Sequence, residues 1–441
     1  MRRSWSRIFA MSLGIPLLLA FLVACGSGTT GTTGSGSTPT ATKIIKIGTD
    51  LPVSGKDESS GKPAEDGAHL ALDQANQKHT IPGYQLVFVP KDDVGPSGIH
   101  DPSVGQQNVT ALISDAEVAG IVGPFNSNVA QAEMPITNQA PIAQISPANT
   151  NTCLTQDAPD TGCTGKYDVL KTVRPTGKVT YFRIATTDNH QGGVGADYLY
   201  KTLNYKKAYV IDDAETYGIG IANAFIKEYQ ADGGTVLGHS SEPGTTTSYL
   251  SLLTQVASQK PDVIYFAGLD STGGILVRQQ MQQIPALKNT PYAGGDGLQT
   301  STFASTIGLS GGPVYSTVAT ANADVLSSAQ TFISQFKSVY GASAYGAYSA
   351  AAYDCMNIMI QAIKTAVSNG AKVPTSSSDT ADASSFRQAV INAIQGISYD
   401  GVTGHQSFDS NGDTTDRVIS IYQLADVSGS PGWKFITQQT V

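Results

Sequence analysis

Four short stretches carry polar groups of the kinds that hold the charged ends of a small molecule. Asn126 and Ser127 stand in "GPFNSN", Ala148 to Thr150 in "SPANT", Tyr217 in "AETYG", and Asp296 in "GGDG". Hydroxyls and backbone N–H groups at a helix start suit an anion. A lone carboxylate set among glycines, which clear the way for a close approach, suits a cation. One rim for negative charge facing another for positive charge describes a clamp for a zwitterion. Ser127 and Thr150 could equally cap helices, and Tyr217 could simply fill a strand end. Asp296 is harder to explain that way, because a carboxylate buried without a partner is costly.

Catalytic patterns are missing. No Gly-x-Ser-x-Gly turn is present, and His69, His79, His100, His190, His239 and His405 show no metal spacing. "GKDESSGKP" (55–63) is similar to a phosphate loop but has five residues between Gly55 and Gly61, and Pro63 where a hydroxyl would hold magnesium. It reads as a solvated loop, and its Ser59-x-x-Lys62 lacks the partner motifs of that enzyme class. "DSNGDTTD" (409–416) resembles a calcium loop, but Gly412 comes at its fourth position and no Glu closes it. A hairpin turn with Asn-Gly in the left-handed positions is expected instead. The chain is therefore read as no enzyme, with no catalytic residue, no metal and no cofactor.

The stretches that could hold a ligand need a scaffold, and the hydrophobic pattern supplies one. "KIIKIGTDL", "YQLVFVPKDD", "VAGIVGP" and "PIAQISPA" read as strands, with helical spacing between them such as Ala64, Ala68, Ala71, Leu72 and Ala75. The alternation restarts at "KKAYVIDDAETYG" and runs through "GTVLGHS", "PDVIYFAGLD" and "PYAGGDG". The fold class is α/β, with two doubly wound parallel-sheet lobes. In such sheets ligands bind beyond the carboxyl ends of the strands, where all four stretches lie. The tail holds long helical patterns, a polar gap from Pro374 to Ala383, and "GVTGHQSFDSNGDTTDRVISIYQL", which looks like a hairpin.

The 441 residues are 40% hydrophobic and 14% charged, with a formal net charge of −8. The basic footprint of a nucleic-acid binder is missing. Arg2, Arg3 and Arg7 precede an apolar run, Ile8 to Val23, as in a secretory signal. Its end, "LVAC", resembles the bacterial lipobox, which implies cleavage after residue 24 and a lipid on Cys25. Losing three arginines and no acid would take the formal charge from −8 to −11. Gly26 to Thr42 is a Gly/Ser/Thr tether with a reach of about 20–25 Å. Cys153 and Cys163 bracket a polar insert and are expected to form a structural disulfide in an oxidising compartment; Cys355 reads as a buried free thiol.

Taken together, "IGTDLPVSG", "IVGP" followed by "NS", "SPANT", "ETYG", "IYFAG", "GGDG" and "TGHQSFDSNGD" resemble the branched-chain amino acid (leucine/isoleucine/valine) binding proteins. These are type I periplasmic binding proteins of ABC importers. The resemblance covers Lys43 to about Ile436 and implies two lobes joined by three hinge crossings, placed near Ala185, Val318 and Gly401. Residues 43–185 and 319–400 would make lobe 1, and 186–318 and 401–441 lobe 2, after a signal (1–24) and tether (25–42). Ser127, the Ala148 backbone and Thr150 would take the ligand carboxylate, Tyr217 would cover it, and Asp296 would bind the ammonium. Ser60 and Leu269 stand where the family often has aromatic residues against the ligand side chain, and Phe125, beside Asn126, is expected to compensate in part. The expected protein is a monomeric, lipid-anchored receptor outside the cytoplasm, delivering an amino acid to permease subunits. An amide, urea or aromatic-acid ligand, or a sensor role, is the alternative reading.

Overall fold

The computed structural model describes residues 43–157 and 163–441. The proposed signal, the lipidated Cys25 and the tether lie outside the described residues. No helix among the described residues is long and apolar enough to cross a membrane.

The short apolar runs become strands buried on both faces. β1 (Lys43–Leu51), β2 (Tyr84–Asp92), β3 (Val118–Val122), β4 (Ala143–Ser146) and β5 (Tyr181–Arg183) form an all-parallel sheet in the order β2-β1-β3-β4-β5. β6 (Lys207–Asp212), β7 (Thr235–Ser241), β8 (Val263–Ala267), β9 (Tyr292–Gly294) and β10 (Val314–Val318) repeat that order as β7-β6-β8-β9-β10, again parallel. Every residue of β3 and of β8 is buried. That explains why "VAGIV" and "VIYFA" show no alternation, since helices cover both faces of a parallel sheet.

Helix Glu58–Gln77 buries the alanine and leucine stripe read from its spacing, and it begins six residues before the stripe does. It packs against helix Ser349–Ser368, whose Ala351, Ala352, Cys355, Met356 and Met359 are buried. Cys355 is a free, buried cysteine. Cys153 and Cys163 are joined in a disulfide with their Cα atoms 5.3 Å apart.

The expected tail hairpin divides into separate pieces. β11 (Tyr399–Gly401) and β12 (Gly404–Gln406) pair with each other. "DSNGD" is a tight turn closed by a bridge between Phe408 and Thr414, and Gly412 takes the left-handed conformation at φ 86° while Asn411 does not. The reason is local: Asp409 Oδ1 accepts the N–H groups of Asn411 (2.8 Å) and Asp413 (3.0 Å). β13 (Val418–Val427) and β14 (Ser430–Thr440) then form a long antiparallel hairpin on the β10 edge of the second sheet.

The chain leaves the first sheet between Arg183 and Asp188. It returns after Val318 to the helices Gln330–Tyr340, Ser349–Ser368 and Thr380–Gln395. The third passage lies later than Gly401. Val402 and Thr403 donate to Asp354 of helix Ser349–Ser368, and the Arg183 N–H donates to Gly412 O at 3.0 Å. Residues 401–413 therefore stay with the first half, and the passage falls between Asp413 and Val418.

Candidate functional site

Each sheet reverses its winding, at β1/β3 in the first and β6/β8 in the second, and a crevice opens at the carboxyl ends there. The loops carrying the sequence-predicted residues leave from those ends. After β3 and β4 the two loops are tied together. Ser146 Oγ donates to Pro124 O at 2.6 Å, and Asn149 Nδ2 donates to Phe125 O at 2.5 Å. This fixes Asn126 and Ser127 beside Ala148 and Thr150, and all four are buried. Asn126 precedes helix Ser127–Gln139 and makes no side-chain cap, leaving that helix start suited to an anion. Thr150 caps nothing either; Asn151 does so instead, accepting from Cys153 N at 2.9 Å.

On the other side Asp296 follows β9. Its Oδ1 accepts from Gln191 Nε2 (2.7 Å) and from the Tyr217 hydroxyl (2.8 Å), and its Oδ2 from the Tyr348 hydroxyl (2.8 Å). Gly295 makes this approach feasible, since a Cβ there would lie 2.2 Å from the Tyr217 oxygen. A carboxylate offers about four lone-pair sites, so these neutral donors leave room for one more. Burial raises the Asp296 pKa, opposed by the three hydrogen bonds.

A second acid was missed by sequence reasoning. Asp188 opens helix Asp188–Asp197 and is 1% exposed. Burial pushes it up to about 8; the Thr150 hydroxyl opposes that rise and the Asp296 charge adds to it. The Asp188 N–H donates to Thr150 O at 2.7 Å, while neither oxygen of its buried carboxylate has a hydrogen-bond partner among the described residues. "TTDNHQGG" gave no signal at this position beyond a polar helix start.

A small cavity of about 20 Å³ lies between the halves, lined by Ser60, Phe125, Leu269, Asp296, Gln299 and Tyr348 among others, and no Lys, Arg or His among the described residues lines it. It is about large enough for a single water molecule. Ser127, Ala148, Thr150 and Tyr217 lie outside its lining. Phe125 meets Tyr348 edge-on, with ring centres 5.5 Å apart. Tyr348, just ahead of helix Ser349–Ser368, supplies an aromatic wall that the sequence pattern assigned only to a helical run. "GKDESSGKP" is not wholly a solvated loop: its residues from Glu58 onward open a helix, and Ser59 and Ser60 stand on the cavity wall.

The halves also meet directly. His100 Nδ1 lies 2.8 Å from Asp57 Oδ2, and its Nε2 lies 2.8 Å from Glu215 Oε2. Asn128 Nδ2 reaches the same Glu215 oxygen at 3.3 Å, and Asn151 Nδ2 donates to Thr216 O at 2.6 Å. Burial acts to lower the His100 pKa, but the hydrogen bonds to Asp57 and Glu215 outweigh it and hold His100 well above its ordinary value.

The periplasmic binding protein family profile matches residues 44–430. The chain belongs to the periplasmic binding protein family. It is 28% identical over 348 residues to the Leu/Ile/Val-binding protein BraC3 of Rhizobium johnstonii, covering 76% of this chain and 87% of that one. Its structure is similar to a leucine binding protein, LivK, from Thermotoga maritima, with a TM-score of 0.72 at 21% identity over 90% of this chain and 99% of the other. A solute binding protein of an ABC transporter from Rhodopseudomonas palustris, in complex with p-hydroxybenzoic acid, gives 0.72 at 18% identity, over 90% of this chain and 97% of the other. The fold is that of type I periplasmic binding proteins, and the family and its fold neighbours are substrate-binding proteins of the extracytoplasmic space, not enzymes.

Proposed function

We propose that this periplasmic binding protein captures a free α-amino acid between its two halves and delivers it to the permease subunits of an ABC importer. Lipid on Cys25 tethers it, as a monomer, to the outer face of the cell membrane. The observation that carries this reading is the buried Asp296 carboxylate on the wall of the cavity between the halves, where its hydrogen-bond partners Gln191, Tyr217 and Tyr348 are neutral. A buried carboxylate with neutral partners favours a cation beside it. Hydroxyls and helix N–H groups nearby favour an anion. An ammonium and a carboxylate one carbon apart combine those demands. Because the cavity is too small for an amino acid, entry requires the halves to part, and the ligand shifts that equilibrium by binding the closed form better than the open one.

The test is thermal denaturation of the tether-free protein with free L-amino acids, their amides and p-hydroxybenzoate, each at 1 mM. Ligand at a hundred times its dissociation constant adds about 2.7 kcal/mol, which is readily seen. Stabilisation by at least one free amino acid, lost in Asp296→Asn, supports the reading. Stabilisation by p-hydroxybenzoate alone would shift the assignment to aromatic acids, a reading favoured by the Phe125–Tyr348 wall. For the anchor, Cys25→Ser should move the protein from the membrane to the soluble fraction.

A further inference from the structure

A second, much larger space opens directly outside the small cavity. It has a volume of about 890 Å³ and shares Ser59 and Gln299 as walls with the inner one. Ligand sites of small molecules fall at roughly 300–1,000 Å³. Both halves build it: Glu58, Lys62 and Asp66 face Asp270, Leu276 and Thr302. The gate between the chambers is polar, with Ser59 on one side and Gln299 on the other, and Ser60 and Leu269 lie on its inner side only.

The chemistry of the outer chamber is that of an acceptor. Its hydroxyls come from Ser271, Thr300 and Ser343, among others. Lys62 is engaged by Glu65 at 3.1 Å and Asp66 at 2.5 Å, which cancels its charge. Lys56, on the rim, is exposed to water. Asp270 is 4% exposed and accepts from the Thr300 hydroxyl at 2.5 Å and from Ser271 N at 2.8 Å. Glu58, by contrast, is exposed. Burial pushes Asp270 up to about 7, so a neighbouring N–H donor or cation would be welcome there. The Oγ of Ser59, in the gate, is buried without a hydrogen-bond partner.

We infer that the bound α-amino acid carries a long side chain ending in N–H donors, threaded past Ser59 and Gln299 into this outer chamber. The inference rests on the amino-acid reading of the inner site and names the substrate class: glutamine-, lysine- or arginine-like. Once the halves part, the common backbone end is held at Asp296, and the chamber beyond Ser59 and Gln299 has the volume and the acceptors for the side chain. A branched apolar side chain would fill the gate and leave the chamber's polar groups unused.

Titration calorimetry of the full mature chain against L-alanine, L-leucine, L-norleucine, L-glutamine, L-lysine and L-arginine tests this. The expected result is that at least one of the last three binds tenfold or more tightly than alanine, leucine and norleucine. Bulk added from the two exposed walls, by Ser343→Trp with Thr302→Trp, should weaken that ligand tenfold or more while alanine binding changes less than threefold. Each single substitution serves as an independent arm should the double variant fold poorly. Leucine or norleucine as the tightest ligand, or a long polar amino acid unaffected by both tryptophans, overturns the inference. Failure of every amino acid, alanine included, overturns instead the amino-acid reading on which it rests.

Discussion

His100 in the first half and Glu215 in the second lie 2.8 Å apart, nitrogen to oxygen, with Asp57 at the same distance from the other ring nitrogen. The imidazole is fully enclosed and Glu215 is about one-fifth exposed. Two carboxylates on one ring require an imidazolium, so the contact closing the halves is a charged one.

This latch sets a pH dependence. The folded His100 pKa is raised well above 6.5, so the folded protein holds a proton the unfolded chain releases. Its contribution is fully present below about pH 6.5 and is lost as pH rises through the folded value. Asp57 is lowered, because the bonds to His100 outweigh burial, and its contribution is lost only as pH falls through its folded value. His100→Gln should flatten the alkaline fall in melting temperature. Glu215→Gln should reduce it in part and increase the population of open molecules seen by small-angle scattering. An unchanged alkaline slope in His100→Gln would rule the latch out.

The Asp188–Asp296 pair predicts the opposite slope for ligand affinity. Burial pushes Asp188 up to about 8, so an arriving ammonium displaces a proton from it, while the rise at Asp296 is opposed by its three hydrogen bonds. Affinity should therefore increase from pH 5 to 8, and Asp188→Asn should weaken that increase. A hydrogen bond to a charged group contributes about 1.5–3 kcal/mol, so Asp296→Asn should cost roughly 10- to 150-fold in affinity for an amino acid. Calorimetry across pH reads both effects.

Arg183 joins the cysteine insert, the first sheet and the tail. Its Nε is 2.7 Å from Asp413 Oδ1, it donates to Asn151 O at 2.7 Å, and it reaches the Thr155 hydroxyl. Arg183→Met would take from the buried Asp413 the cation it bonds and leave it only the neutral donors Thr155 and Gln156, at a cost of about 3–5 kcal/mol. The melting temperature should fall accordingly, and Asp413→Asn in the same background should restore part of it.

Reduction of Cys153–Cys163 removes a link that restrains the unfolded chain. Cys153→Ser with Cys163→Ser should lower stability by about 2–4 kcal/mol in chemical denaturation. Cys355, buried among apolar side chains, should resist thiol reagents in the folded protein.

Much of the scaffold was legible because its signals are local. "VAGIV" and "VIYFA" reveal strands buried on both faces, and the alanine stripe from Ala64 to Ala75 reveals a helix. "GGDG" marked a carboxylate in a close approach, and Gly295 against Tyr217 supplies the steric reason. The tail was less legible: "FDSNGDTTD" carries hairpin residues, but the side chain of Asp409 organises a turn that adds to the first half, while β13 takes a distant partner.

Composition and period by themselves determined two parallel-sheet halves, a paired and an unpaired set of cysteines, and the strand ends that carry the candidate site residues. They could do so because burial on a strand or helix repeats over a few residues. Only tertiary packing decided that Gln191, Tyr217 and Tyr348 gather around Asp296, and that His100 meets Glu215. Those partners are 52 to 115 residues apart in the chain, and no local spacing encodes which loops two stacked sheets bring face to face.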